Sequence, residues 1–156
     1  MLSSRMLHTI LHEAAEAGAA EILRFFQGSF EVSNKEGVNN LVTEADHASE
    51  KAILSVIKKA FPDHQILAEE SGALEQSSDY KWIIDPIDGT VNFAQGIPLN
   101  CVSIAIEFQG SIILGAVYNP HLNEFFFAEK GKGATLNDKP IQVSKKTSTL
   151  KSCLVT

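Results

Sequence analysis

The sequence predicts an α+β protein: two helices packed on one face of a mostly antiparallel sheet. Two observations predict it. Apolar residues recur at intervals of three and four as far as about residue 60 and then alternate by two, and the order is helix, helix, then sequential strands. Leu7, Ile10, Leu11, Ala14, Gly18, Ile22 and Phe25 make one apolar stripe, so residues 4–27 read as a helix stopped near Gly28. The polar stretch 33–40 reads as a loop. Thr43 then stands as an N-cap with Asp46 three positions on, opening a second helix over 43–60. Its predicted buried face is Ala45, Ala48, Ala52, Ile53, Val56, Ile57 and Ala60, and Phe61-Pro62-Asp63 ends it, because proline cannot continue the ladder. Gln65–Ala68 and Trp82–Ile84 are short apolar runs that end in carboxylates, as strands feeding polar loops do. Val102, Ile104, Ile106 and Phe108 alternate with Cys101, Ser103, Ala105 and Glu107, and after Gln109-Gly110 the run 111–119 reads as the partner strand of a hairpin. Glu124–Glu129, a glycine-rich turn at Lys130–Gly133 and the segment 134–144 add further short strands. The sheet is thus built from about 65–143, with no repeat, low-complexity tract or internal linker.

The chain has 156 residues, which is the size of one compact unit, and 44% of them are hydrophobic, enough to form a core. With 13 Lys and Arg against 19 Asp and Glu, the net charge of −6 leaves no whole-chain electrostatic footprint for nucleic acid. An acidic protein that handles phosphate must bring in cations. Cys101 and Cys153 lie far apart with no CxxC or Cys/His spacing, so neither a disulfide framework nor a zinc site is indicated and a reducing compartment fits. His8, His12, Glu13 and Glu16 interrupt the N-terminal apolar residues, and no run reaches the length of a membrane span. The expectation is a cytoplasmic protein without membrane or nucleic-acid partners.

The densest chemical signal is the segment 82–93, WIIDPIDGTVNF. Asp85 and Asp88 stand three apart at a strand end with Pro86 stiffening the turn, and Gly89-Thr90 opens a short segment that reads as a helix N-terminus, where backbone N–H groups suit a phosphate. A lone Asp-Gly is more commonly a tight turn, but two carboxylates at the same place weaken that reading. Glu69 and Glu70 follow a strand in LAEESG, a pattern that alone describes a solvated face. Asp46 is accounted for by capping alone, and Lys35 by exposure in a polar loop. The glycines around Lys132 do not make a phosphate-binding loop, because GxxxxGK[ST] is absent.

Taken together, LVTEAD (41–46), AEESG (68–72) and DPIDGTVNF (85–93) resemble the inositol monophosphatase family of magnesium-dependent, lithium-sensitive phosphatases, with GIPLNCVSIAI (96–106), GAVYNP (115–120), EKGKGATLN (129–137) and SCLVT (152–156) following in family order. The resemblance covers essentially the whole chain. It implies Mg²⁺-dependent hydrolysis of a small phosphomonoester, an inositol monophosphate or a related sugar or polyol phosphate, by a metal-activated water. It further implies that Glu69, Asp85 and the backbone oxygen of Ile87 hold a first Mg²⁺, that Asp85 and Asp88 begin a second site, and that Thr90, bonded to Asp46, orients with Glu69 the attacking water. Gly89 and Thr90, with Asp88 beside them, would hold the phosphate. The physics agrees with a metal requirement, since two like charges about 4 Å apart cost on the order of 4 kcal/mol at an effective dielectric near 20.

Two substitutions depart mildly from the family pattern: Asn40 replaces an aspartate before LVT, and Ala68 a glycine before the glutamate pair. Family members also continue beyond SCLVT into a second α/β half that carries a further metal-ligating aspartate. The expectation is therefore one N-terminal domain, 1–156, forming the first half of an αβαβα sandwich, with the C-terminal half absent. The alternative to a phosphatase is a truncated, non-catalytic domain of the same family that binds metal or oligomerises. An uncovered apolar surface predicts a homo-oligomer, a dimer in the simplest case. The identity of the alcohol released is not written in this half of the pattern.

Overall fold

The computed structural model describes residues 4–26, 32–34 and 41–148. Among the described residues three helices, α1 (Ser4–Phe26), α2 (Glu44–Ala60) and the short α3 (Thr90–Ala94), accompany ten strands. These are β1 (Val32–Asn34), β2 (Leu41–Thr43), β3 (Gln65–Ala68), β4 (Gly72–Leu74), β5 (Tyr80–Asp88), β6 (Cys101–Phe108), β7 (Ser111–Asn119), β8 (Glu124–Glu129), β9 (Gly133–Leu136) and β10 (Lys139–Ile141). The main sheet has the order β10-β9-β8-β7-β6-β5-β3-β4, and β1 and β2 pair separately. Among the described strands every pairing is antiparallel except β3 with β5. The α+β architecture predicted from the sequence is present.

Helix α1 buries Leu7, Leu11, Ala14, Gly18 and Ile22 as its spacing predicts, and Ala15 and Ala19 as well, while Ile10 and Phe25 are only partly covered. The predicted helix end at residue 27 and its stop at Gly28 lie outside the described residues, as does Lys35. The loop expected over 33–40 is strand at its start, because Ser33 and Asn34 pair with Val42 and Leu41. Helix α2 departs from prediction in an instructive way. Its buried residues are Ala45, Asp46, Ser49, Glu50, Ile53 and Ile57, whereas Ala48, Ala52, Val56 and Ala60 are not fully buried. The helix is rotated toward its polar residues because their partners, the loops at one end of the sheet, lie there. Gly18 makes the close approach of the two helices possible: a Cβ at that position would lie 2.7 Å from Ile53 Cδ1 and 2.9 Å from Ser49 Oγ.

Both helices cover the face of the sheet that carries Ile66, Ala68, Trp82, Ile84, Val102, Ile104, Ile106, Leu114 and Ala116. Trp82, completely buried, donates its indole N–H to His64 Nδ1 at 3.0 Å. The β6–β7 hairpin turns through Gln109 and Gly110, both at positive φ (47° and 79°), the conformation in which a two-residue loop matches the strand twist. Lys81 and Glu107, directly opposite in the β5–β6 ladder, form an ion pair at 2.7 Å that supports the register.

Candidate active site

The carboxylates meet because of two irregularities in an otherwise regular sheet. The first is the parallel pairing of β3 and β5, in register Ala68 opposite Ile84. The parallel pairing ends at Ala68 and Ile84, which brings the next residue of each segment, Glu69 and Asp85, side by side, and the Glu69 N–H extends the ladder by donating to Ile84 O at 3.1 Å. The second is a bulge in β5. Asp85 stands opposite Ser103 and Asp88 opposite Cys101, so Pro86 and Ile87 together face the single residue Val102. Proline has no N–H for a ladder, and a bulge is where a strand tolerates it. Residues three apart in a regular strand point to opposite faces; the extra residue returns Asp88 to the face of Asp85. That face is the one turned away from α1 and α2.

The crowding shows in the acid chemistry. Burial, the charge of Glu69 and a hydrogen bond shared with its carboxyl, and then the charge of Asp88 push the Asp85 carboxyl up to about 7, against a smaller opposing effect of the Ile87 N–H. That N–H donates to Asp85 Oδ1 at 3.1 Å and closes the turn. Cys101 is likewise held as a neutral thiol, pushed up to about 11 by burial and by Asp88 and Asp85. Among the described residues no three acidic, histidine or cysteine side chains close on one point as a finished metal cage. The chain offers a carboxylate pair, Glu69 and Asp85, with Asp88 near enough to act on the charge of Asp85. Such a donor set suits a hard cation that keeps several of its own waters.

Past the bulge the chain turns through Gly89 into α3. Gly89 has φ 95°, and a Cβ there would lie 2.9 Å from Leu99 O, so both the backbone angle and the close approach require glycine. Thr90 Oγ1 is 3.1 Å from Asp46 Oδ1 and 2.9 Å from Ile87 O, with one hydroxyl proton to give to these two acceptors. Asp46, 1% exposed, thus faces Thr90 from the first turn of α2. This contact goes beyond the capping role the sequence suggested for Asp46.

Sequence reasoning missed two further polar ties from α2. Ser49 Oγ donates to Pro86 O at 3.0 Å. Glu50, 4% exposed, accepts the backbone N–H groups of Glu70 at 2.8 Å and Ser71 at 3.0 Å, one on each carboxylate oxygen. The available signal was that Glu50 stands one helical turn after Asp46 and therefore on the same face.

The profile of the inositol monophosphatase family matches residues 4–156. The chain belongs to the inositol monophosphatase family. An inositol-1-monophosphatase from Synechocystis is 48% identical over 148 residues, which is 94% of this chain and 52% of that protein. A protein named Nus factor SuhB from Pasteurella multocida is 42% identical over 152 residues, 97% of this chain and 57% of the relative. Among solved structures, SuhB from Bartonella henselae superimposes with a TM-score of 0.87 at 38% identity, covering 90% of this chain and 55% of that one. The IMPase of Thermotoga maritima gives 0.82 at 38% identity, with 92% and 55% covered. The chain therefore spans about half the length of the inositol monophosphatase relatives it matches. Among the described residues no helix is long and apolar enough to cross a membrane.

Proposed function

We propose that this chain contributes the nucleophile side of a Mg²⁺-dependent phosphatase acting on an inositol monophosphate or a related sugar or polyol phosphate. The observation that carries the reading is the adjacency of Glu69 and Asp85 just past the end of the parallel β3–β5 pairing, with Thr90 hydrogen-bonded to Asp46 beside them. Glu69, Asp85 and Ile87 O would hold one cation, and Asp85 with Asp88 would contribute to a second; Ile87 O keeps a lone pair beyond the one facing Thr90. Bound there, Mg²⁺ would neutralise the carboxylate cluster and acidify a water.

The remaining work falls to the chain's own groups. With its proton given to Asp46 or Ile87 O, Thr90 Oγ1 presents lone pairs that accept a hydrogen bond from the attacking water and so aim its oxygen. Glu69, beside it, takes the water's proton as general base. Backbone N–H groups of Gly89 and Thr90 would grip the phosphate, next to Asp88.

The test is phosphate release by the chain from inositol 1-phosphate and from a general phosphomonoester at saturating Mg²⁺. We expect activity that is weak in a polypeptide ending at Thr156, blocked by lithium and lost in Asp88→Asn. Turnover that survives removal of all divalent cations refutes the reading.

A second reading, a domain that binds metal or oligomerises without turnover, draws support from the half-length match to the relatives. Leu67 (43% exposed) and Val117 (40%) lie on the sheet face away from the helices, and an exposed apolar face favours association with a second copy. A monomer in sedimentation at micromolar concentration counts against that association. The cytoplasm, where Mg²⁺ is plentiful and thiols stay reduced, is the compartment that fits this chemistry and Cys101.

A further inference from the structure

We propose that Glu50 is a positioning residue for Glu69: from the buried face of α2 it fixes the backbone of the loop on which the metal-ligand candidate stands. The inference rests on the reading of Glu69 as a ligand given above. A carboxylate excluded from water is tolerated only when its oxygens are hydrogen-bonded, and Glu50 has both engaged by the consecutive N–H groups of Glu70 and Ser71. Hydrogen bonds donated to a carboxylate are of the stronger kind. The preceding N–H, that of Glu69, is held by Ile84 O at 3.1 Å. Three successive peptide groups around Glu69 are therefore fixed, one by β5 and two by a single α2 side chain, and a side chain leaving a backbone so bracketed has its direction set.

The same helix also holds the other half of the site. One turn before Glu50, Asp46 meets Thr90, and Ser49 holds Pro86 O between Asp85 and Ile87. Helix α2 thus acts as one rigid reference for the loop 69–71 and for the turn 85–90, approaching both from behind the sheet while Glu69 and Asp85 point to the opposite face. No smaller side chain at position 50 spans two consecutive N–H groups with two acceptors. Glutamine has one acceptor and would aim an NH₂ at the other N–H.

The test uses Mn²⁺ as the probe, titrated into the chain by electron paramagnetic resonance, together with amide exchange of Glu70 and Ser71 in metal-free protein. Glu50→Gln is expected to weaken Mn²⁺ binding about tenfold, the usual lower range for a group that orients a ligand, and to speed exchange at those two amides. Ile53→Val, on the same helix and mildly destabilising, is the control for stability alone and should leave affinity within twofold. Where Glu50→Gln does not fold, Glu50→Asp carries the same test, since its shorter carboxylate withdraws from the loop, with at least threefold weakening expected. Affinity within twofold of the unaltered chain in the position-50 variants, while Glu69→Gln abolishes binding, overturns the role of Glu50 and leaves the ligand reading standing. Unchanged binding in Glu69→Gln, or none in the unaltered chain, overturns the ligand reading and this inference with it.

Discussion

Gly18→Ala sets two opposed effects against each other. Alanine is the better helix former, so in an unobstructed helix interior the change would stabilise by about 1 kcal/mol. Here the added methyl meets Ile53 Cδ1 at 2.7 Å, Ile53 Cγ1 at 2.8 Å and Ser49 Oγ at 2.9 Å. Ile53 is completely buried and has nowhere to swing, so moving it off its rotamer costs about 0.5–1.5 kcal/mol. Displacing Ser49 removes its hydrogen bond to Pro86 O, another 1 kcal/mol or so. The sum exceeds the propensity gain, and the expected net effect is a loss of about 1 kcal/mol, or about 2–4 °C in Tm for a chain of this size. Urea and thermal unfolding at pH 7.5 in chelator measure it. Ala20→Gly, on the exposed side of the same helix, should lose a comparable amount by propensity alone. Stabilisation by Gly18→Ala would refute the packing argument, because it would mean that α2 retreats freely and that the Ser49 tie contributes nothing.

Asp85→Asn is expected to abolish stabilisation by Mg²⁺ in isothermal and thermal titrations, while Glu70→Gln largely retains it; equal loss in both would show that the wrong glutamate of the pair has been taken as a ligand. His64 is held below the ordinary histidine range, chiefly by burial, with Asp63 opposing, and it accepts the Trp82 N–H as a neutral ring. The folded state prefers the neutral form, so this contribution is present above about pH 6.5 and is lost as pH falls through the lower folded value. The stability difference between the unaltered chain and His64→Gln should therefore be constant above pH 7 and shrink at pH 5, and a difference that grows on acidification contradicts it. Thr90→Val should lower phosphatase turnover by about 10²-fold, the usual loss when a group that orients a reacting proton is removed, with Thr90→Ser near full activity; similar rates for the two variants would remove Thr90 from the reaction.

What was legible in the sequence is what depends on local periodicity. The stripe from Leu7 to Ile22 and the alternation from Cys101 to Phe108 each report one buried face, and each face is found where the spacing puts it. The motif residues were legible as a set through the family pattern they resemble, since singly Glu69 reads as a solvated face and Asp46 as a cap. Their geometry was not. Nothing in the spacing of Asp85 and Asp88 reveals that Pro86 and Ile87 share one partner on β6. Nor does anything in LAEESG say that β3 runs parallel to β5, a pairing between segments that the sequence separates. The error on α2 has the same origin. Hydrophobic periodicity assigns Ala48 and Ala52 to the buried face because it cannot foresee that Asp46, Ser49 and Glu50 find buried partners on other segments.

The short edge strand β4 carries a consequence for anyone who handles this protein. Because β4 runs back along β3 before the chain enters β5 at Tyr80, the connection 75–79 crosses at the end of the sheet remote from Glu69 and Asp85. Five residues of β5 separate it from Asp85, about 17 Å of strand. Glu75, Gln76 and Ser77 are exposed, and the segment is tied down through Ser78, whose carbonyl accepts from Gln65 and whose hydroxyl accepts from Tyr80 N–H. A fluorophore, an affinity tag or a few inserted residues at Gln76 can thus be carried as a passenger, reporting on whether the β3–β5 pair has formed while leaving the Glu69 and Asp85 carboxylates at the opposite rim untouched.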